Sequence, residues 1–212
     1  MNGKCLKKIR RNLRDYGVPV TLAKGVAYLF RLLYEHRAYR VYKIELDGRH
    51  IPQSAAGPLL FRLLGEKEKE IIGQIEEMEE WLDDKLAEKL KARSFCMVVL
   101  DGERVAGFNL VTMDEVHIPL INVRKVLRPG SAWSEQITIQ KDYRNRGLAT
   151  ELRHRVYAEL EKRGIGKFYG GSLACNTASL KLAQKAGFTF LADVTYCRIF
   201  SCRRWEYRRV RV

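Results

Sequence analysis

The sequence predicts an α/β domain preceded by a helical extension, and three observations carry that prediction. Residues 131–188 alternate strand and helix signals, residues 95–112 read as a hairpin, and several segments repeat apolar residues at helical spacing. At 212 residues, 46% of them hydrophobic, the chain can bury one good core. The simplest division is an extension over 1–37 and one domain over 38–212.

Residues 4–14 and 20–36 are expected to form two basic amphipathic helices, the second with Leu22, Val26, Leu29, Phe30 and Leu33 on one face. Gly17 and Pro19 separate them. From Tyr39 to Leu46 the alternation predicts a first strand, stopped by Asp47 and Gly48, and residues 52–58 read as loop. A long helix is expected from Lys67 to Lys91, with Ile71, Ile75, Met78, Leu82, Leu86 and Leu90 as its buried stripe. Phe95 to Leu100 and Arg104 to Thr112 flank an Asp101-Gly102 turn and should pair as a hairpin. Residues 113–130 have no clear period and fit a lid or a short strand. The strand SAWSEQITIQ follows, then the turn KDYRNRGLA and a helix whose Leu148, Leu152, Val156 and Leu160 recur every four residues. A second strand, the helix NTASLKLAQK and terminal strands complete the order.

Charge is polarised rather than merely high. The formal net charge is +14, yet residues 1–49 hold 12 Lys/Arg against 4 Asp/Glu, or +8, and residues 198–212 hold 6 against 1, or +5. Residues 66–90 hold 4 against 10, or −6. Basic ends that include Trp205 and Tyr207 among arginines suit nucleic acid, and basic N-terminal helices suit an anionic membrane surface. The acidic stretch either attracts a cationic amine or pairs with the chain's own basic arm.

The apolar run GVAYLFRLLY is cut by Arg31 and is far shorter than the roughly 20 residues of a membrane span. Lys24 and the lack of a small-residue cleavage site argue against a signal peptide. Five cysteines without metal-ligand spacing read as reduced thiols of a cytoplasmic protein, and no metal site is expected. Cys175 is expected to be a neutral buried thiol.

The turn before the 148 helix carries Arg144, Gly147 and Ala149 as R-x-x-G-x-A. A helix start presents unpaired N–H groups and a partial positive charge, which suit a pyrophosphate. Gly147 permits close approach of the main chain, Ala149 keeps the first helical turn small, and Arg144 and Arg146 can add charge-assisted bonds. On its own, a motif this short also occurs at ordinary loop-to-helix junctions.

From the strand ITI through KDYRNRGLA to the N-x-x-S helix ending at Gly187 and Phe188, the segment resembles the acetyl-coenzyme A site of the GNAT superfamily of N-acyltransferases. The resemblance implies a mixed sheet of about six or seven strands flanked by helices. It also implies a donor site built from Ile137, Thr138, Ile139, Arg144, Asn145, Arg146, Gly147, Leu148, Ala149 and Asn176. There the backbone of 137–139 would pair with the pantetheine amides. Asn176 would reach the pantetheine arm, although a helix N-cap is an equally good reading. The implied activity is transfer of an acetyl group to a primary amine in a ternary complex. The alternative is a GNAT-like binding module, or an enzyme recruited to nucleic acid or to a membrane surface.

An amine of pKa about 10.4 must lose a proton before it attacks. In some relatives a glutamate matching Glu135 takes that proton, and period-2 spacing would put Glu135 on the face of Ile137 and Ile139. A surface carboxylate or ion-pair partner is the plainer reading of Glu135. Many relatives carry a general-acid tyrosine where this chain has Ala183. Ser179, one turn earlier, could polarise the thioester, or it could simply bond its own helix backbone. Lys181, Lys185 and His154 are more simply solvated surface residues.

Overall fold

A computed structural model describes residues 33–46, 59–79, 86–91 and 93–209, together with residues 18, 19, 22 and 48. The proposed N-terminal helices and the 52–58 loop lie largely outside the described residues. Where the second helix was expected to end, Tyr34, Glu35 and His36 already belong to a strand. Strand β1 runs Tyr34–Glu45 and pairs with Thr189–Ile199 (β9) from the Tyr34↔Ile199 register onward. Pairing along this ladder overrides the helical pattern of the local sequence.

Among the described residues the main sheet has eight strands rather than six or seven. In chain order they are β1, β2 (Leu60–Leu63), β3 (Ser94–Asp101), β4 (Arg104–Thr112), β7 (Ser131–Ile139), β8 (Lys167–Leu173), β9 and β10 (Cys202–Arg209). Their spatial order is β10-β9-β1-β8-β7-β4-β3-β2. Strand β2 escaped the sequence reading because its four residues, LFRL, are too short to show alternation.

The expected long helix is two: α1 (Lys69–Met78) and α2 (Leu86–Lys91). Helix α1 stops because Glu79 adopts an extended backbone, with φ −131° and ψ 91°, while its N–H closes the last turn onto the Ile75 carbonyl. Residues 113–130 hold a two-stranded sheet, β5 (Glu115–Ile118) and β6 (Val123–Val126), joined through a 3-10 turn. Helices α3 (Leu148–Lys162) and α4 (Thr177–Lys185) follow β7 and β8 respectively.

Each face of the sheet is covered. Helices α3 and α4 close one face over Tyr42, Leu152, Val156, Leu160, Phe168 and Phe188. On the opposite face α1 and α2 bury Ile75, Leu86, Leu90, Val98 and Phe108. The β5–β6 unit covers a third cluster containing Tyr39, Ile121, Trp133 and Tyr196. It is tethered to the end of the sheet by Trp205 of β10, whose indole Nε1 donates to the Ile121 carbonyl at 2.8 Å.

One feature of the sheet creates the site. Strands β7 and β8 are parallel but pair only from Ser131–Trp133 to Lys167–Tyr169. Beyond this they part, so β7 from Ser134 to Ile139 keeps β4 on one edge and, among the described residues, has no strand on the other. Clefts at the carboxyl ends of parallel strands are where ligands of open α/β sheets collect.

Candidate active site

The split between β7 and β8 opens a cleft of about 690 Å³. The N-terminus of α3 forms one end of it. Asn145 and Gly147 both have left-handed backbones, at φ 62° and 76°. A β-carbon on Gly147 would meet nothing within 4 Å, so only the positive φ demands glycine there. Intrahelical bonding starts with the N–H groups of Thr150 and Glu151, both donated to the Gly147 carbonyl. Among the described residues the N–H groups of 145–149 meet no acceptor. Successive unpaired amides at a helix start fit a pyrophosphate, so the residues present suit a coenzyme A donor.

The two arginines differ: Arg144 lines the cleft and Arg146 does not. Arg144 turns its Nε back onto the Ile139 carbonyl at 3.1 Å. Arg146 places its guanidinium 5.7 Å from the Tyr143 ring centre and does not line the cleft. The other residues expected at the donor site, Ile137, Thr138, Ile139, Asn145, Gly147, Leu148, Ala149 and Asn176, all line it.

Asn176 is the N-cap of α4, its Oδ1 accepting the Ser179 N–H at 3.1 Å, and both residues border the cleft. Ala183 is buried in the core below. Cys175 is exposed, not buried, because it lies in the turn between β8 and α4. Lys181 and Lys185 are exposed and do not line the cleft.

Glu135 is the extra residue of a bulge. Leu110 pairs with Gln136 and Val111 with Ser134, which leaves Glu135 unmatched on β4. A bulge resets the alternation of a strand. Glu135 therefore leaves the face of Ile137 and Ile139, which pack with the α3 cluster, and turns toward α2, where Lys89 Nζ lies 2.6 Å from its Oε2. Its side chain is only 7% exposed and still lines the cleft. Among the described residues its other oxygen, Oε1, has no hydrogen-bond partner.

Among the further residues that line the cleft, four matter to its chemistry that the sequence did not assign to it individually: Glu79, Tyr39, Tyr42 and Arg153. Glu79 Oε1 accepts from Thr138 Oγ1 at 2.6 Å and Gln136 Nε2 at 3.0 Å, so the residue that ends α1 also fixes these half-buried side chains of β7. Tyr39 and Tyr42 come from β1 and pack across the paired glycines of β8. A β-carbon on Gly170 would lie 2.6 Å from Tyr42 Cε2, and one on Gly171 2.3 Å from Tyr39 Cε1. Burial raises the Tyr39 phenol above its ordinary range, which keeps it a neutral hydrogen-bond donor. Arg153, on α3, is 3% exposed, and desolvation lowers its pKa. Two of the four carried a legible signal: Glu79 and Arg153 occupy the positions i+4 from Ile75 and i−3 from Val156, where the apolar stripes call for hydrophobic residues.

The sequence matches the profile of the Acetyltransferase (GNAT) family over residues 58–188, more than half of the chain. The chain belongs to the GNAT acetyltransferase family.

Solved structures share the fold. A GCN5-related N-acetyltransferase from Sphaerobacter thermophilus is 17% identical with a TM-score of 0.55, covering 90% of this chain and 58% of that one. A putative GNAT-family acetyltransferase from Novosphingobium aromaticivorans is 18% identical with a TM-score of 0.54, covering 78% and 66%. The chain thus spans less than two thirds of the length of either. The aminoglycoside acetyltransferase AAC(6')-Iy, solved with a bisubstrate analog of coenzyme A and acetylneamine, is 16% identical with a TM-score of 0.50, covering 63% and 92%. At these identities the likeness is one of fold. No curated protein matches the chain in sequence.

Among the described residues no helix is long and apolar enough to cross a membrane. Nor do three or more His, Cys, Asp or Glu converge there in a way that could hold a metal ion.

Proposed function

We propose that this GNAT chain transfers an acetyl group from acetyl-coenzyme A to a primary amine. The observation that carries the reading is the convergence on one cleft of three parts: the acceptor-free amides of 145–149, the unpaired edge of β7, and the Glu135 carboxylate at its bulge. The amides bind the pyrophosphate, and the β7 edge takes the pantetheine as an added strand. Because Arg144 already engages the Ile139 carbonyl, this added strand pairs with the Ser134–Thr138 portion of the edge.

Bound acetyl-coenzyme A supplies an activated acyl carbon: the amine nitrogen bonds to it, the carbon–sulfur bond breaks, and the thiolate departs. Glu135 takes the proton lost by the amine, directly or through a water, while Lys89 fixes its carboxylate. With Ala183 buried where many relatives carry an acid, the Tyr39 hydroxyl, beside Gly171 of β8, is a neutral donor for that role. A thiolate whose conjugate acid has a pKa of about 8.5 needs no stronger help. Ser179 sits at the first turn of α4 as a second hydroxyl donor.

Glu79 adds a second negative charge to the cleft and favours a cationic amine at its entrance. Calorimetry with acetyl-coenzyme A, followed by coenzyme A release with amines, peptides and aminosugars, tests the reading. Uptake with turnover on an amine is expected. Failure to take up the donor overturns the reading, and uptake without turnover on any amine leaves a binding module.

A further inference from the structure

On the α3 side of the split, the cleft floor is polar where a core would be apolar. Arg153 Nη1 donates to Asn109 Oδ1 at 3.1 Å. Asn109 in turn donates through Nδ2 to Ser134 Oγ at 3.0 Å and to the Gln136 carbonyl at 2.7 Å. The guanidinium is held between two rings, 5.6 Å from the Phe168 centre and 5.5 Å from that of Phe188. The side-chain amide of Asn109 is thereby used at both its oxygen and its nitrogen, which locks the Arg153 head in place.

The network is incomplete on the cleft side. Arg153 Nε is buried without a hydrogen-bond partner, and so is Ser172 Oγ of β8. Both residues are more than nine-tenths buried, and both line the cleft. Among the described residues no carboxylate pairs with Arg153. Glu151 on the same helix bonds Arg155 through Oε1 at 2.8 Å, and its buried Oε2 has no partner, so it does not reach Arg153 either. A desolvated cation without a counter-charge is costly, and aromatic faces compensate it only in part. An orphaned donor and an orphaned hydroxyl lining one cleft, the first held over Phe168 of the strand that carries the second, are complementary to an anion with two oxygens.

We propose that Arg153 and Ser172 form a subsite for a carboxylate carried by one of the two substrates, either at the far end of the acyl chain or on the amine acceptor. The inference rests on the proposed acyl transfer for the identity of those substrates, but carboxylate recognition is measurable without turnover. The subsite makes this chain selective for a charged group that a simple acetyl donor and a simple amine both lack.

Calorimetry in two arms tests it. One arm compares succinyl-coenzyme A with butyryl-coenzyme A, which has the same chain length without the terminal carboxylate. The other compares lysine with lysinamide. A preference of about 30-fold or more for the carboxylate in one arm is expected, the range seen when a buried charge pair is made or lost. The arm that shows it identifies the carrier. In Arg153→Met, which preserves apolar volume, the ratio should fall to about threefold or less, and in Ser172→Ala it should fall part of the way.

Equal affinities in both arms overturn the subsite, as does a preference that survives Arg153→Met. If Arg153→Met does not fold, a preference unchanged in Ser172→Ala overturns it. Should neither coenzyme A derivative bind, the acyl-transfer reading fails while the lysine arm still decides the carboxylate subsite.

Discussion

At one end of the cleft a single run of residues, 145–149, presents main-chain amides that meet no acceptor among the described residues. At the other, Glu79, Glu135, Tyr39 and Arg153 arrive from the end of α1, from β7, from β1 and from α3. The first end is made by backbone conformation and is local. The second is made by side chains and exists only because the sheet splits and a bulge turns one residue aside. Chemistry at the local end therefore depends on φ and ψ, and chemistry at the convergent end on packing between distant elements. Substitutions that separate the two test this division.

The largest effect is expected at the convergent end. Glu135→Gln should lower kcat by about 10² to 10⁴ with donor affinity unchanged, measured by steady-state kinetics beside calorimetry. Equal loss of donor affinity would mean that the two ends are not separable. At the local end Gly147→Val forces a β-branched residue to φ 76°, at a strain of about 1 to 3 kcal/mol, and puts side-chain atoms where the ligand must approach. Donor uptake should fall at least tenfold in titration, while the pH profile of the residual turnover should keep its shape.

Gly170→Ala should destabilise the fold by about 1 to 3 kcal/mol, since its β-carbon would lie 2.6 Å from Tyr42 and the core must shift, as chemical denaturation would show. Asn176→Ala removes the cap of α4 and should cost about 1 kcal/mol, a drop in Tm of about 2 to 4 °C by calorimetry.

The smallest effect lies away from both ends, where Arg40 Nε and Nη2 hold Asp193 at 2.6 and 2.8 Å between β1 and β9. That bond lowers the Asp193 pKa, so its contribution is fully present above the unfolded carboxylate range and is lost as pH falls through the lower folded value. Asp193→Asn should reduce stability at neutral pH by about 0.5 kcal/mol, discounted for exposure, and should flatten the acid limb of the stability curve without touching turnover.

The same division explains what the sequence made legible. R-x-x-G-x-A, the stripe of α3 and the hairpin around Gly102 are contiguous patterns, and each appears where it was expected. Glu135 was legible as a candidate base, but its direction was not. Period-2 reasoning assumes an unbroken strand, and the extra residue is visible only in the register against β4. Tyr39 and Tyr42 read as ordinary strand residues, because their access to the cleft depends on Gly170 and Gly171 lying beside them on another strand. Glu79 and Arg153 were out of period with their helices. A charged residue on a buried stripe marks a place where tertiary structure makes use of the charge.

The hydrogen bond from Trp205 to the Ile121 carbonyl gives the molecule an optical reporter at its own rim. Leu120, the neighbouring residue, faces the cleft, so a ligand that displaces it disturbs the peptide group on which the indole leans. The Trp205 share of the intrinsic emission, obtained as the difference between the protein and its Trp205→Phe variant because Trp81 and Trp133 also emit, should therefore shift as the cleft fills.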